Sequence, residues 1–372
     1  MKNLHLMPMG SVFDDDYIRE INDNFPHETN QFILIKHRPI VDEYDNCLID
    51  DSVFNAEYIN THCLEYKHII LHSLFLNHKE ILALTDDAAK KIIWCVWGHD
   101  LYTVKKKQLY TVKYCFNEAV HCAKKILRGT YIRQYRHNHA VAKKVGLFHC
   151  IAIGYSYDET MIRKKYGQKV PIVYGPYFSR TTEKNIDRLR DMHLQKRNLV
   201  TNIIIGHSGF EFLEHEKYLQ LLSKYKDENI HINMVLSYGA SEERIKILTD
   251  LAYSIFGEQK CTILLNMLDK DAYYEFLTNM DIAIFPFRHQ SALGNTKRML
   301  YMGIKMYLDP QGVLAKGFKA GGGVIHDCNE IGKIPFKKLC AQDRLTDTNA
   351  AVFSTFDYAK NVNAWKTILY DL

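Results

Sequence analysis

The stretch FPFRHQSALGNTKRML, Phe285 to Leu300, decides how this chain is read. It follows Ile282-Ala283-Ile284, a short apolar run with strand character. It then passes through a polar turn into a segment with helical spacing that starts near Gly294-Asn295-Thr296. A strand, a turn and a helix N-terminus in that order form the phosphate-holding unit of α/β proteins. The first helical turn offers N–H groups that lack carbonyl partners, at the positive end of the helix dipole. Arg288 and Gln290 stand just before it, where their side chains can donate to an anion.

The same alternation extends in both directions. Upstream, strands are expected at Lys2–Met7, Phe32–Lys36, His68–His72, Ile92–Trp97, Val145–Ala152 and Pro171–Val173. A second series covers Asn202–Gly206, His231–Leu236, Thr262–Leu265, Ile282–Phe285 and Lys305–Leu308. These runs are short, apolar and rich in β-branched residues, as in parallel sheets covered on both faces. Helices are expected between them, at Asn77–Leu84, Lys107–Arg128, Ser156–Tyr166, Glu214–Tyr225, Ser241–Phe256, Asp271–Met280 and Thr296–Met302. Ser241, followed by Glu242 and Glu243, has the pattern of a helix start. The charged stretch Thr181–Asn198 separates the two series as a linker or surface helix. The expected class is therefore α/β, with domains at 1–185 and 199–355 and a C-terminal helix at 356–372.

Composition narrows the function. Of 372 residues, 47% are hydrophobic and 24% charged, which is the balance of a folded soluble protein. The N-terminus makes a poor secretory signal, and no run is long enough to span a bilayer. The nine cysteines contain no CxxC pair, which suits buried thiols in a reducing compartment. The net charge of +5 is concentrated: Lys105 to Lys144 holds eleven Lys/Arg against one acid, Glu118. Tyrosines interleave this stretch, which suits an anionic membrane surface or a single-stranded nucleic acid.

Chemistry is expected where strands end. WCVWGHDLY, Trp94 to Tyr102, places His99 and Asp100 after a Gly98 turn. A carboxylate beside aromatic surface suits a general base, so Asp100 is the first catalytic candidate, with His99 and His72 behind it. The aromatics there suit sugar rings. In the second half, Gly206-His207-Ser208-Gly209 lets phosphate approach the backbone, and Tyr238 closes a neighbouring strand. Together with Arg288, Gln290, Gly294, Asn295 and Thr296 these residues make up one expected nucleotide site. The D-x-D strings at Asp14–Asp16 and Asp269–Asp271 fit metal binding poorly: the first comes too early, and the second has the look of helix capping. No metal ligand set and no cofactor are expected, and the single Gly of MPMGSVF argues against a nicotinamide site.

These motifs resemble the bacterial TDP-4-acetamido-4,6-dideoxygalactose:lipid II transferases, 4-alpha-L-fucosyltransferase-like glycosyltransferases of enterobacterial common antigen assembly. The resemblance is carried by Trp94 to Tyr102, Gly206 to Gly209, Asp271-Ala272-Tyr273 to Leu277, Phe285 to Thr296, and Phe353-Ser354 with Tyr358 and Trp365. That family has Asn where His207 stands, and Asn295 is an addition here. The resemblance implies a GT-B fold: two facing Rossmann-like domains, the acceptor on the first and the nucleotide sugar on the second, with a C-terminal helix returning to the first. It implies a TDP or UDP sugar donor (an amino-deoxy sugar), a polyprenyl-diphosphate-linked saccharide acceptor, and a peripheral enzyme on the cytoplasmic face of the inner membrane. The residues alone also admit a non-catalytic nucleotide- or nucleic-acid-binding protein that uses the basic 102–144 stretch. The resemblance favours the transferase, with no nucleic acid partner.

Overall fold

The structure, a computed structural model, describes residues 1–10, 12–98, 100–101, 130–177, 180–196, 199–341, 345–353 and 358–372. The described residues form two compact units. The first takes everything up to Glu183 and the C-terminal helix from Tyr358. The second runs from Lys184 to Phe353.

The first unit is built on seven strands: β1 (Lys2–Met7), β2 (Asn30–Leu34), β3 (Cys47–Ile49), β4 (Tyr66–His72), β5 (Ile92–Cys95), β6 (Cys150–Ile153) and β7 (Ile172–Tyr174). Their order is β3-β2-β1-β4-β5-β6-β7, and every pair is parallel. The second unit has β8 (Thr201–Ile205), β9 (Ile230–Val235), β10 (Cys261–Leu264), β11 (Ile282–Phe285), β12 (Lys305–Leu308) and β13 (His326–Asp327). They run in the order β10-β9-β8-β11-β12-β13, again all parallel. Counted within each sheet, both follow the Rossmann order, which reverses between β1 and β4 in the first and between β8 and β11 in the second. Ligands of open α/β sheets bind outside the strand carboxyl ends at such reversals.

Burial explains the short apolar runs. All four residues of β5, β6, β11 and β12 are buried. Helices cover both faces, as parallel crossover connections require. Several helices start on the residues that sequence favours. The Ser241 side chain accepts from the Arg244 amide, and Asn77 forms a reciprocal capping box with Glu80.

Some elements differ from expectation. The run Val145–Ala152 is not one strand: Val145 ends the helix Thr130–Val145, and pairing begins at Cys150. Its apolar residues are buried in both settings, so periodicity did not separate them. The helix Val12–Asn24 is not among the elements expected from the sequence, where its three consecutive Asp stand out only as a D-x-D string. Asp14 and Asp15 instead occupy the first helical turn, where they complement the dipole, while Tyr17, Ile18 and Ile21 are fully buried. The edge strands β3 and β13 are too short to carry a pattern. The helix expected at Lys107–Arg128 lies outside the described residues.

The helix Tyr358–Lys366 packs on the first unit. The Trp365 indole is fully buried, lies edge-on to Tyr17 at 4.9 Å, and donates from Nε1 to the Pro176 carbonyl at 2.8 Å. Tyr358 donates its hydroxyl to Glu20 Oε2 at 2.6 Å, and Lys67 Nζ donates to the carbonyls of Leu369 and Tyr370. This helix fills a face of the sheet that would otherwise be apolar and open. Trp365→Ala should therefore lower the unfolding free energy by about 3–5 kcal/mol, the range for emptying a buried aromatic site. Urea unfolding followed by circular dichroism measures it. A loss below about 1 kcal/mol would show that the helix docks loosely.

Candidate functional site

At the second unit's reversal, the β8 turn bends sharply at Gly206, whose φ is +70°. A Cβ there would lie 2.7 Å from His215 Nε2, so the position requires glycine. A Cβ at Gly209 would lie 2.4 Å from the Cβ of Ala240, so this turn also packs closely on the turn after β9. Between the two glycines, Ser208 and His207 are buried. The His207 ring meets Phe285 and Phe287 edge-on at 5.5 and 5.6 Å, and its Nε2 pairs with Ser291 Oγ at 3.0 Å. Phe210 and Tyr238 stand partly exposed beside this turn, their rings 6.0 Å apart.

The β11 turn leads into the helix Leu293–Met302. This helix begins three residues earlier than the Thr296 start expected from the sequence. Ala292, at φ 47° and ψ 34°, precedes it in the left-handed region, and no side chain caps it. Its first-turn amides therefore lack both an intrahelical carbonyl and a capping oxygen, which is the condition for anion binding. Gly294 is exposed and Asn295 half-buried in that turn. Thr296 is buried, and its hydroxyl donates back to the Ala292 carbonyl at 2.9 Å, so that side chain serves the helix. Arg288 does not stand alone: its Nε donates to Asp309 Oδ2 at 2.7 Å. His289 Nδ1 and Gln290 Oε1 are buried in this turn without a hydrogen-bond partner. Buried polar atoms left open in this way call for an explanation, and an absent ligand is one.

At the first unit's reversal, His72 ends β4 fully buried. Its Nε2 pairs with His5 Nδ1 at 3.1 Å, and its Nδ1 with the Tyr177 hydroxyl. Tyr177 also accepts from Trp97 Nε1 at 3.1 Å, while His5 Nε2 faces Asn30 Oδ1 at 3.3 Å. Asn30 Oδ1 also accepts from Asn3, which makes it the acceptor for His5 Nε2–H. His5 Nδ1 then accepts from His72 Nε2–H, leaving His72 Nδ1 to accept from Tyr177. The chain of bonds has one direction and no solvent-facing base. Asp100 is also engaged. Its Oδ2 accepts from the Leu74 amide at 2.9 Å and from Trp94 Nε1 at 2.7 Å, and its Oδ1 from the Trp97 amide at 3.1 Å. The carboxylate clamps the turns after β4 and β5 together. His99 lies outside the described residues.

Burial holds the site histidines neutral. It pushes His207 down to about 3, with nearby His215 and His289 adding to the effect. It likewise lowers His5 to about 3 and His215 and His289 to about 4, and it takes His72 well below its ordinary value. Among the described residues, no group of three or more His, Cys, Asp or Glu could hold a metal ion. Asp269, of the second D-x-D string, caps the helix Lys270–Thr278 by accepting from the Ala272 amide. The first string lies in the helix Val12–Asn24, where Asp15 is bound by Arg38 through Nε and Nη2.

Sequence reasoning placed Gly206, His207, Ser208, Tyr238 and the 288–296 turn at the carboxyl ends of adjacent strands, and the structure brings them together. It did not find Asp309, Ser291, His5 or Tyr177. Each acts through a partner far away in sequence, and of the four only Ser291 lies inside a stretch that the sequence singles out.

Residues 135–371 match the family described as 4-alpha-L-fucosyltransferase, glycosyl transferase group 56. Among solved structures, the chain is similar to a glycosyltransferase from Rickettsia africae (14% identity, 100% of this chain and 99% of that one, TM-score 0.63). It is also similar to HepE of Anabaena in complex with UDP and glucose (11% identity, 100% of both chains, TM-score 0.62). A third is WaaG, a glycosyltransferase involved in lipopolysaccharide biosynthesis (13% identity, 100% of both chains, TM-score 0.59). These likenesses establish the fold as GT-B, with two Rossmann-like domains.

Two outcomes follow from the geometry. Asp100→Asn puts an NH₂ group against N–H donors whichever way the amide turns, so stability should fall by about 1–3 kcal/mol. Unchanged urea stability in that variant would dissolve the clamp. Separately, the buried histidines titrate near 6.5 when unfolded but near 3–4 when folded. Between those values the unfolded chain binds more protons, so the stability they contribute is full above about pH 6.5 and is lost as pH falls toward 4. The thermal midpoint should drop steadily from pH 7 to pH 4.5. A flat profile would mean that these imidazoles reach solvent.

Proposed function

The chain belongs to the 4-alpha-L-fucosyltransferase family, glycosyl transferase group 56, and from that premise we propose that it moves a sugar from a nucleoside-diphosphate donor to a lipid-linked saccharide. The observation that carries this reading is the uncapped helix start at Leu293, beside the partnerless His289 Nδ1 and Gln290 Oε1. A diphosphate placed there meets the first-turn amides and the positive dipole end. Arg288, steadied by Asp309, adds a cation. In this reading these groups, rather than a divalent metal, balance the leaving group as the anomeric C–O bond breaks. Phe210 and Tyr238 offer ring faces to the nucleobase. HepE, which shares the fold, binds UDP and glucose, and this supports a donor of UDP or TDP type.

The acceptor is assigned to the strand ends of the first unit, at His72-Ser73 and Trp97–Asp100. There Asp100 holds the turns in place rather than taking the acceptor proton. An amino-deoxy sugar donor and a polyprenyl-diphosphate acceptor rest on the motif resemblance. So does work at the inner membrane's cytoplasmic face, to which the basic 102–144 stretch, mostly outside the described residues, suits a peripheral enzyme. No described helix is long and apolar enough to cross a membrane.

A thermal-shift panel tests the donor class. UDP or TDP at a hundred times its Kd should stabilise the protein by about 2.7 kcal/mol. A shift with oligonucleotides alone, lost at high salt, would instead favour a nucleic-acid-binding protein. In turnover, Arg288→Ala should cost about 2–4 kcal/mol of transition-state stabilisation, read as kcat/KM. Asp309→Asn keeps the cation and should cost less. Near-normal kcat/KM in Arg288→Ala would remove Arg288 from the mechanism.

A further inference from the structure

We propose that His207 is the positioning residue of the β11 turn: its buried Nε2 fixes Ser291, and through Ser291 the left-handed Ala292 from which the helix Leu293–Met302 starts. The functional value of this strut rests on reading that turn as the diphosphate site.

His207 is one of the residues expected at the nucleotide site. Its ring is almost fully buried and lies edge-on to Phe285 and Phe287, packed between strand-end aromatics. One polar link leads outward from it, the 3.0 Å contact with Ser291 Oγ. Ser291 immediately precedes Ala292, a residue with a Cβ held at φ 47°. Residues other than Gly, Asn and Asp adopt that conformation rarely, and it persists only where surrounding structure enforces it. The other end of the turn is anchored separately. Arg288 Nε donates to Asp309, and the Arg288 carbonyl accepts from the Val313 amide at 2.8 Å. The turn is thus tied to the loop after β12 at Arg288 and to the turn after β8 at Ser291. If the second tie is cut, Ala292 can relax to an ordinary φ. That rotation re-aims the amides of Leu293, Gly294 and Asn295, the groups an anion would meet.

The test uses the full chain in six forms: wild type, His207→Ala, His207→Gln, Ser291→Ala, the double alanine variant, and Ser291→Ala with Ala292→Gly. Circular dichroism first confirms that each is folded. Titration calorimetry with UDP and with TDP then reads donor affinity. Each single alanine variant should weaken binding about tenfold, the scale of one lost hydrogen bond. The double variant should be no weaker than either single one, because both remove the same bond. His207→Gln, which reaches Ser291 with an amide, should retain affinity. Ala292→Gly should restore much of what Ser291→Ala loses, because glycine adopts this conformation without a strut. A purely structural histidine would lower stability without this pattern of non-additivity and rescue. Wild-type affinity in His207→Ala, or additive losses in the double variant, would overturn the proposal.

Hydrogen exchange on the ligand-free proteins separates the strut from the functional reading. The Thr296 amide, which donates to the Ala292 carbonyl at 2.9 Å, should exchange faster in both single variants. Unchanged exchange overturns the strut whatever the nucleotide does. Faster exchange in the variants, together with a wild type that binds no nucleoside diphosphate, keeps the strut but overturns the donor site.

Discussion

Parallel pairing throughout both sheets is the constraint on which the rest depends. It sends every strand's carboxyl end within a sheet to the same edge. It also requires each strand to return through a crossover, so helix N-termini collect at that edge too. The reversal of order between β8 and β11 then leaves two turns side by side with no crossover above them. One is small and glycine-bent, at Gly206–Gly209. The other ends in an uncapped helix at Leu293. The candidate site needs no further architectural device. Its turns are held by side chains that reach across from neighbouring turns, Asp309 to Arg288 and His207 to Ser291.

The first unit shows what the same constraint does with different side chains. There the reversal between β1 and β4 is filled by a directed chain of bonds from Trp97 through Tyr177, His72 and His5 to Asn30. Asp100 sits beside it with three N–H donors on its carboxylate. A carboxylate so bound holds turns in register. Trp94 gives its indole N–H to this carboxylate, whereas Trp97 gives only its backbone amide and directs its indole N–H to Tyr177.

Much of this was legible in the sequence, because parallel strands buried on both faces are uniform apolar runs. Lys2–Met7, Ile282–Phe285 and Lys305–Leu308 were located to the residue. The glycines at 206 and 209 also announced a tight turn. The failures have physical causes. Val145 and Cys150 are equally apolar, so a helix end and a strand start looked like one strand. Asp14–Asp16 draws attention in the sequence as a charged string that fits a metal site poorly, and the helix it starts shows only through the buried Tyr17, Ile18 and Ile21 that follow. Asp100 and His72 were marked as acid–base candidates by type and position, yet their environment is set by Trp94, Leu74, His5 and Tyr177, which no spacing rule connects to them. The left-handed Ala292 left no trace in sequence, since the residue one expects there is glycine.

The central claim is that a nucleoside diphosphate binds at the β8–β11 reversal of the second unit. Hydrogen–deuterium exchange of the full chain with and without saturating UDP or TDP tests it most directly. The account predicts protection in two peptides, one spanning Gly206–Phe210 and the other Arg288–Thr296, with the turns at His72–Leu76 and Trp94–Asp100 unchanged. Protection confined to those first-unit turns, with none at 288–296, would contradict it.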